Sequence, residues 1–169
     1  RPHQRRELLL HARGRLENLH VIELLREDPR SHVRDARNAD DLHPPANIAK
    51  MQAGIPLDDS DRTPWLAALS DLLAFTLTAG RHPVLACSAL KQAYRQQLLA
   101  QAPGVELLYL KGSYDMILKR MAGRAGHYMK PEMLQSQFAV LEEPDSAFVL
   151  EVAKPVDALV TQIMVRLFA

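Results

Sequence analysis

The chain has a single cysteine, no long apolar run and almost no net charge, and each shortage excludes a class of protein. The one cysteine, Cys87, rules out an internal disulfide and is typical of the reducing cytosol. No apolar run reaches the roughly 18 residues needed to cross a membrane, and no signal-peptide pattern opens the sequence. A net charge of +1 argues against a nucleic-acid or membrane partner. We therefore expect a cytoplasmic protein.

The first 37 residues also lack what a phosphate-binding loop requires. They contain one glycine, Gly14, no lysine, and nine arginines, so they cannot form a glycine-rich cradle of the usual kind. One or two amphipathic helices ending near Pro29 are compatible with the spacing of Leu8, Ala12, Leu16 and Leu19. A strand over residues 21–25 is the alternative. The arginines indicate either a docking arm or, more simply, a surface extension.

The rest of the chain predicts one α/β domain. A length of 169 residues with 47% hydrophobic and 24% charged residues suits a single core. The apolar patterns predict strands over 83–87, 105–110 and 148–152, and helices over 46–52, 64–78, 89–100, 115–121, 131–138 and 156–168. Because strands alternate with helices, we expect a parallel sheet with crossover connections.

A loop-rich stretch over residues 39–66 concentrates polar side chains. Asp40, Asp41 and His43 precede a proline pair that bars helix at that point. Further along, Asp58, Asp59 and Asp61 are typical of capping and turn chemistry. We expect Pro64 to start a helix whose apolar face includes Trp65, Leu66, Leu69, Leu72, Leu73 and Phe75.

Two pairs of cations stand four residues apart. Lys91 and Arg95 follow the strand over 83–87, at the sheet edge where ligands collect. If they share a helix face they repel each other unless an anion lies between them. An anionic ligand and a solvated cationic face are both compatible with this pair. Arg120 and Arg124 have the same spacing beside two glycines, which indicates either a mobile lid or a basic turn.

Six motifs carry a family resemblance in order and in spacing. DDLHPPANIAKM, GIPLDDSDRTPWL, CSALKQAYR, YLKG, RAGHYMKPEMLQSQF and LEEP resemble the gluconokinases. This resemblance implies a parallel-sheet P-loop NTPase fold, a three-layer sandwich like that of the nucleoside-monophosphate and shikimate kinases, with an atypical N-terminal strand and phosphate loop. Residues 1–37 form an atypical N-terminal segment and 38–169 the kinase domain, with a lid at about 120–130.

The resemblance also implies roles for individual residues. Asp40 takes the place of the acid that orients the attacking hydroxyl, and Asn38 that of a second acid, so that magnesium is held weakly through water. Arg62 offers a fork for a carboxylate. His43 is a substrate contact or a turn histidine bonded to backbone. The remaining candidates are Lys91 for catalysis and substrate, Arg95, His127 and Gln137 for substrate, and Arg120 and Arg124 for catalysis and nucleotide.

The implied function is transfer of the γ-phosphoryl group of ATP, with Mg²⁺, to D-gluconate, in a homodimer. The alternative is a non-catalytic relative that binds a sugar acid or a protein partner, because residues 1–37 contain no G-x-x-x-x-G-K-[ST] loop. Whether these residues supply the central strand of the sheet is left open by the sequence.

Overall fold

The computed structural model describes residues 22–26, 34–122 and 131–168. The strands are β1 (Ile22–Arg26), β2 (Arg34–Asn38), β3 (His82–Cys87), β4 (Val105–Lys111) and β5 (Phe148–Glu151). The helices are α1 (Pro45–Gln52), α2 (Asp59–Thr78), α3 (Gln92–Ala100), α4 (Tyr114–Ala122), α5 (Pro131–Val140) and α6 (Val156–Phe168), with a 3-10 helix at Ala39–Leu42. No described helix is long and apolar enough to span a membrane.

The strands form one five-stranded sheet in the order β2-β3-β1-β4-β5. β2 pairs parallel with β3, and β4 parallel with β5, which confirms the expected parallel architecture. β1 lies in the middle and runs antiparallel to both of its neighbours. The N-terminal segment therefore supplies the central strand, and the strand alternative for residues 21–25 was the better one.

The direction of β1 decides what can follow it. Ile22 pairs with Cys87 and Tyr109, so the amino end of β1 lies beside the carboxyl ends of β3 and β4. The carboxyl end, Arg26, pairs with Val105 at the opposite edge. A phosphate loop follows the carboxyl end of its strand and opens a helix. In this arrangement the chain leaves β1 at the edge away from the ligand-binding side.

Two apolar layers cover the two faces of the sheet, as the alternation of side chains along a strand requires. On one face α6 packs against alternate residues of β3 and β4, in a cluster of Val84, Ala86, Leu108, Leu110, Leu150, Val152, Leu159, Val160, Ile163 and Leu167. On the other face α2 and α3 pack against Leu85, Cys87 and Leu107. The predicted three-layer sandwich is confirmed. Cys87 is a buried core residue, and burial raises the pKa of its thiol.

The starts of α2 and α3 differ from the predicted ones. α2 begins at Asp59 instead of Pro64, because Asp58 and Asp61 form a capping box ahead of the proline. α3 begins at Gln92 instead of residue 89, since Lys91 has an extended backbone with φ −94° and ψ 147°. Phe75 was expected on the apolar face of α2, but 67% of it is exposed. β2 was missed, because its sequence RDARN has no apolar alternation.

Candidate active site

Several predicted site residues meet at the carboxyl edge of the parallel strands. The 3-10 helix that carries Asp40 follows β2 directly, and Lys91 follows β3. Arg120 reaches this edge from α4, where its Nη2 donates to the carbonyl oxygen of Val152, just beyond β5, at 2.7 Å. Open α/β sheets bind ligands at this edge. Arg124 and His127 lie outside the described residues, as does most of the predicted lid.

Asp40 is exposed and its backbone is fixed from two sides. The Oδ1 atom of Asn38 accepts from the Asp40 backbone N–H at 3.2 Å, and so caps the 3-10 helix. On the other side, the Trp65 indole N–H donates to the carbonyl oxygen of Ala39 at 2.7 Å. Trp65 is buried in α2, so the position of Asp40 depends on the packing of that helix. The predicted hydroxyl-orienting carboxylate therefore stands on an anchored backbone with its side chain open to solvent.

His43 packs into the interior beside this segment. Its ring stacks on Trp65 with 4.3 Å between centroids and 11° between planes, and its Nδ1 faces the side-chain amide of Asn47 at 3.4 Å. Burial, and secondarily the positive charge of Arg62, lowers the pKa of His43 to about 4. The ring is therefore neutral at pH 7. The described partner of the ring is the side chain of Asn47, so the ring does not match the alternative of a turn histidine bonded to backbone.

The low pKa of His43 predicts that acid weakens the fold. The unfolded histidine takes up a proton near pH 6.5, but the folded one does so only near pH 4. The contribution of neutral His43 to the free energy of unfolding is thus fully present above pH 6.5, and it is lost as the pH falls toward 4. We expect a loss of roughly 2 kcal/mol, because one pKa unit is about 1.4 kcal/mol and solvent screens part of it. Thermal unfolding between pH 7 and 4 measures it. The His43→Gln variant should show a flatter profile, and parallel profiles would contradict the assignment.

A cleft of about 550 Å³ lies between the start of α2, the loop before α3 and the helix α5. It brings together three of the predicted substrate residues, namely Arg62, Lys91 and Gln137. The remaining lining residues are Pro56, Leu57, Asp58, Asp59, Ser60, Ser136 and Val140. His43 and Arg95 do not line this cleft. A space of this size, with a few polar groups converging on it, is typical of a small-molecule site.

The two cations of the cleft are organised around Tyr94. The Nζ atom of Lys91 lies 5.7 Å and the guanidinium carbon of Arg62 lies 5.9 Å from the centroid of the Tyr94 ring. Lys91 Nζ also contacts both carboxylate oxygens of Asp59, at 2.7 and 2.8 Å. Arg62 instead donates from Nη1 to the carbonyl oxygens of Leu57 and Asp58. An aromatic ring attracts cations at such distances, so Tyr94 holds both charges at one wall.

Gln137 lines the cleft from α5. Its Oε1 atom is buried and has no hydrogen-bond donor within reach among the described residues. The cleft therefore brings two cations, Arg62 and Lys91, together with an amide side chain, which suits a hydroxylated anion.

Arg95 has a different position from the one expected. Its guanidinium is buried, with 3% of the residue exposed, and Nη1 donates to the carbonyl oxygens of Ala89 and Leu90 at 3.0 and 2.9 Å. Its Nη2 donates to Gln92 Oε1 at 2.8 Å. Because Lys91 precedes α3, the two cations do not share a helix face. Arg95 fixes the loop that carries Lys91, and burial lowers its pKa.

The magnesium expectation finds little support in this geometry. The Asn38 oxygen that we assigned to a metal-bound water already accepts a backbone N–H. Within the part of the chain that the structure describes, no group of three or more His, Cys, Asp and Glu side chains could hold a metal ion. The neutral amide of Asn38 adds no negative charge to the site.

The sequence did not predict two residues at the cleft, namely Asp59, which lines it, and Tyr94, which contacts its cations. Asp59 was assigned to turn chemistry, but its side chain pairs with Lys91 across 32 positions of sequence. Tyr94 was not singled out, although it stands in CSALKQAYR three residues after Lys91. That spacing was the one available signal for Tyr94. Nothing local predicts the Asp59 contact, because the two residues belong to different elements.

Characterised and curated proteins resemble this chain over most of its length. The thermoresistant gluconokinase of Escherichia coli (strain K12) is 39% identical over 127 residues, which cover 73% of each chain. A probable gluconokinase of Mus musculus is 45% identical over 126 residues, covering 64% of this chain and 68% of the mouse protein. No protein-family model matches the chain. The family relationship therefore rests on pairwise similarity to these relatives.

Solved structures agree with these relatives. The crystal structure of a gluconokinase from Sinorhizobium meliloti 1021 superposes with a TM-score of 0.69 and 42% identity, covering 78% of this chain and 75% of that one. An unliganded sugar kinase from Janibacter sp. HTCC2649 gives a TM-score of 0.72 at 42% identity, with 77% of both chains covered. Identity, coverage and fold all lead to the same assignment: the chain belongs to the gluconokinase family.

Proposed function

We propose that this chain is a gluconokinase whose described part supplies the acceptor half of the site. The reaction of that function is transfer of the γ-phosphoryl group of ATP to D-gluconate, giving 6-phosphogluconate. The observation that carries the proposal is the cleft that Arg62, Lys91 and Gln137 line together. A sugar acid has the carboxylate and the hydroxyl groups that such a cleft would bind.

The acceptor half divides the work among its residues. Arg62 and Lys91 bind the carboxylate by charge-assisted hydrogen bonds, which are the stronger kind. Gln137 accepts a hydrogen bond from a hydroxyl group of the sugar acid. Asp40 orients the attacking hydroxyl and takes up its proton. Arg120, with Arg124 of the predicted lid, stabilises the transferred group, where positive charge favours phosphoryl transfer. His127 contacts the sugar acid.

The donor half does not fit the residues present. ATP is the phosphoryl donor that the proposed reaction uses, and Mg²⁺ accompanies it in kinases. In this chain β1 runs antiparallel, the 169 residues contain no G-x-x-x-x-G-K-[ST] loop, and Asn38 uses its oxygen as a helix cap. This observation favours a second candidate function, a gluconokinase relative that binds a sugar acid without turning over ATP. Both candidates share the acceptor cleft.

Binding of the sugar acid tests what both candidates share. We expect gluconate to bind more tightly than glucose by about 1.5 to 3 kcal/mol, roughly a ten- to hundredfold lower Kd, because hydrogen bonds to charged groups contribute that much. Isothermal calorimetry with both sugars measures the difference. Lys91→Met should remove part of it, because Arg62 remains in the cleft. Lys119→Met changes the same charge on the exposed surface of α4 and should leave it unchanged. Equal affinity for the two sugars contradicts the proposal.

Two further features stay predictions that follow from the family. We propose that the protein assembles as a homodimer and works in the cytoplasm on a small sugar acid, with no nucleic-acid or membrane partner. Sedimentation of the purified chain measures the assembly directly.

A further inference from the structure

The charges that line the cleft are balanced. Asp58 and Asp59 stand against Arg62 and Lys91. The carboxylate of Asp58 is used within its own turn, where it accepts from the Asp61 backbone N–H at 2.8 Å and from the Ser60 hydroxyl at 2.6 Å. Asp59 differs from Asp58 because its carboxylate reaches across to the opposite element. Asp59 is therefore the acid that contacts Lys91, one of the two cations proposed to bind the ligand.

The carboxylate of Asp59 is held by two groups from the α3 side. Lys91 Nζ contacts both of its oxygens, and the Tyr94 hydroxyl donates to Oδ1. The side chain of Asp59 remains 65% exposed and that of Lys91 29% exposed. The Lys91 and Tyr94 hydrogen bonds lower the pKa of Asp59, and the bond to Asp59 raises the pKa of Lys91. Both groups are thus charged at pH 7, in a cleft that is open to a ligand.

We propose that Asp59 is a specificity-determining residue. It offsets the positive charge of Lys91 within the cleft, so that the cleft binds a singly charged hydroxylated acid in preference to a doubly charged one. The inference rests on the proposed function, because it concerns the sugar acid bound in the same cleft. One ligand carboxylate pairs with Arg62, which pairs with no carboxylate within the described residues. The same carboxylate shares Lys91 with Asp59. A second negative charge in the same cleft meets Asp59 without a further cation to offset it.

The test compares gluconate with glucarate, a six-carbon acid with a carboxylate at each end. Asp59→Asn is nearly isosteric and keeps one acceptor oxygen for Lys91 and Tyr94, so it removes the charge with little change of shape. By calorimetry at low salt, we expect the ratio of the glucarate Kd to the gluconate Kd to fall about two- to fivefold in this variant, the range typical of one partly exposed charge. The change should shrink at high salt, because ions screen exposed charges.

Asp71→Asn is the matched control, since it removes the same charge from an exposed position of α2. Its ratio should equal that of the parent. An unchanged ratio in Asp59→Asn, or an equal weakening of both acids, would overturn the inference and leave Asp59 as a residue that only positions Lys91. A shift of equal size in Asp71→Asn would overturn it as well. If the parent chain binds neither acid, the proposed function itself fails, and this inference fails with it.

Discussion

Mg-ATP is expected to bind the 169-residue chain far more weakly than it binds a kinase with a phosphate loop, and turnover should be slight or absent. A phosphate loop works because successive backbone N–H groups converge on the β-phosphate while its lysine neutralises the transferred charge. β1 is antiparallel, and its carboxyl end at Arg26 lies at the wrong edge of the sheet. Residues 1–37 contain one glycine, Gly14, so their sequence does not predict a glycine-rich phosphate loop.

Replacing residues 1–37 with a parallel strand and a G-x-x-x-x-G-K-[ST] loop, together with Asn38→Asp, should restore gluconate phosphorylation. The strand would fill the same central position with its carboxyl end beside Cys87. A coupled assay of the product measures the gain. A matched control carries the same replacement with methionine in place of the loop lysine, and should fold without becoming active.

Micromolar affinity of the unmodified chain for Mg-ATP would contradict this expectation. Such an affinity corresponds to a binding free energy of about −8 kcal/mol. It would show that other residues compensate for the loop, and it would favour the catalytic candidate over the non-catalytic one. A nucleotide titration by calorimetry decides between them, provided that gluconate binding is measured on the same preparation.

Asp40→Asn should reduce the kinase activity of the loop-restored protein by about a hundred- to ten-thousandfold, the usual cost of losing a general base. The fold should stay intact, because the helix cap uses the backbone N–H of Asp40 and the side chain is exposed. Since the role proposed for Asp40 is on the reacting hydroxyl, and Asp40 lies outside the residues that line the cleft, kcat should fall while the KM for gluconate changes little.

Asp41→Asn provides the control for that experiment. Asp41 is the exposed neighbour on the same 3-10 helix, and its substitution removes the same charge. Its activity should stay within a fewfold of the parent protein. If Asp40→Asn phosphorylates gluconate at the parent rate, the role assigned to Asp40 is wrong.

The sequence predicted the elements whose signals are local. β3, β4 and β5 are apolar runs bounded by turns, and α6 was predicted with the bounds that the structure shows. These elements follow from periodicity, because one face of each must be buried. The order of motifs likewise predicted the family, and these motifs contain the three cleft residues Arg62, Lys91 and Gln137.

The site was predicted less completely, because contacts between elements leave no local trace. Arg95 looked like a ligand-directed cation, yet its donors face the carbonyl oxygens of Ala89 and Leu90. Asp59 looked like a turn residue, yet its partner is Lys91 in another element. In both cases the residue type indicated a charged contact. The sequence did not indicate which group the side chain contacts, because that depends on which element packs beside it.

By itself, the sequence determined three strands of the sheet, the family and the kinds of group at the cleft, since these depend on residue type and spacing along the chain. Only the tertiary structure decided the direction of β1 and the pairing of Asp59 with Lys91. A short apolar strand has the same alternation in either direction, so pairing with β3 and β4 sets its polarity. That polarity, fixed by neighbours distant in sequence, determines which edge of the sheet its two ends reach.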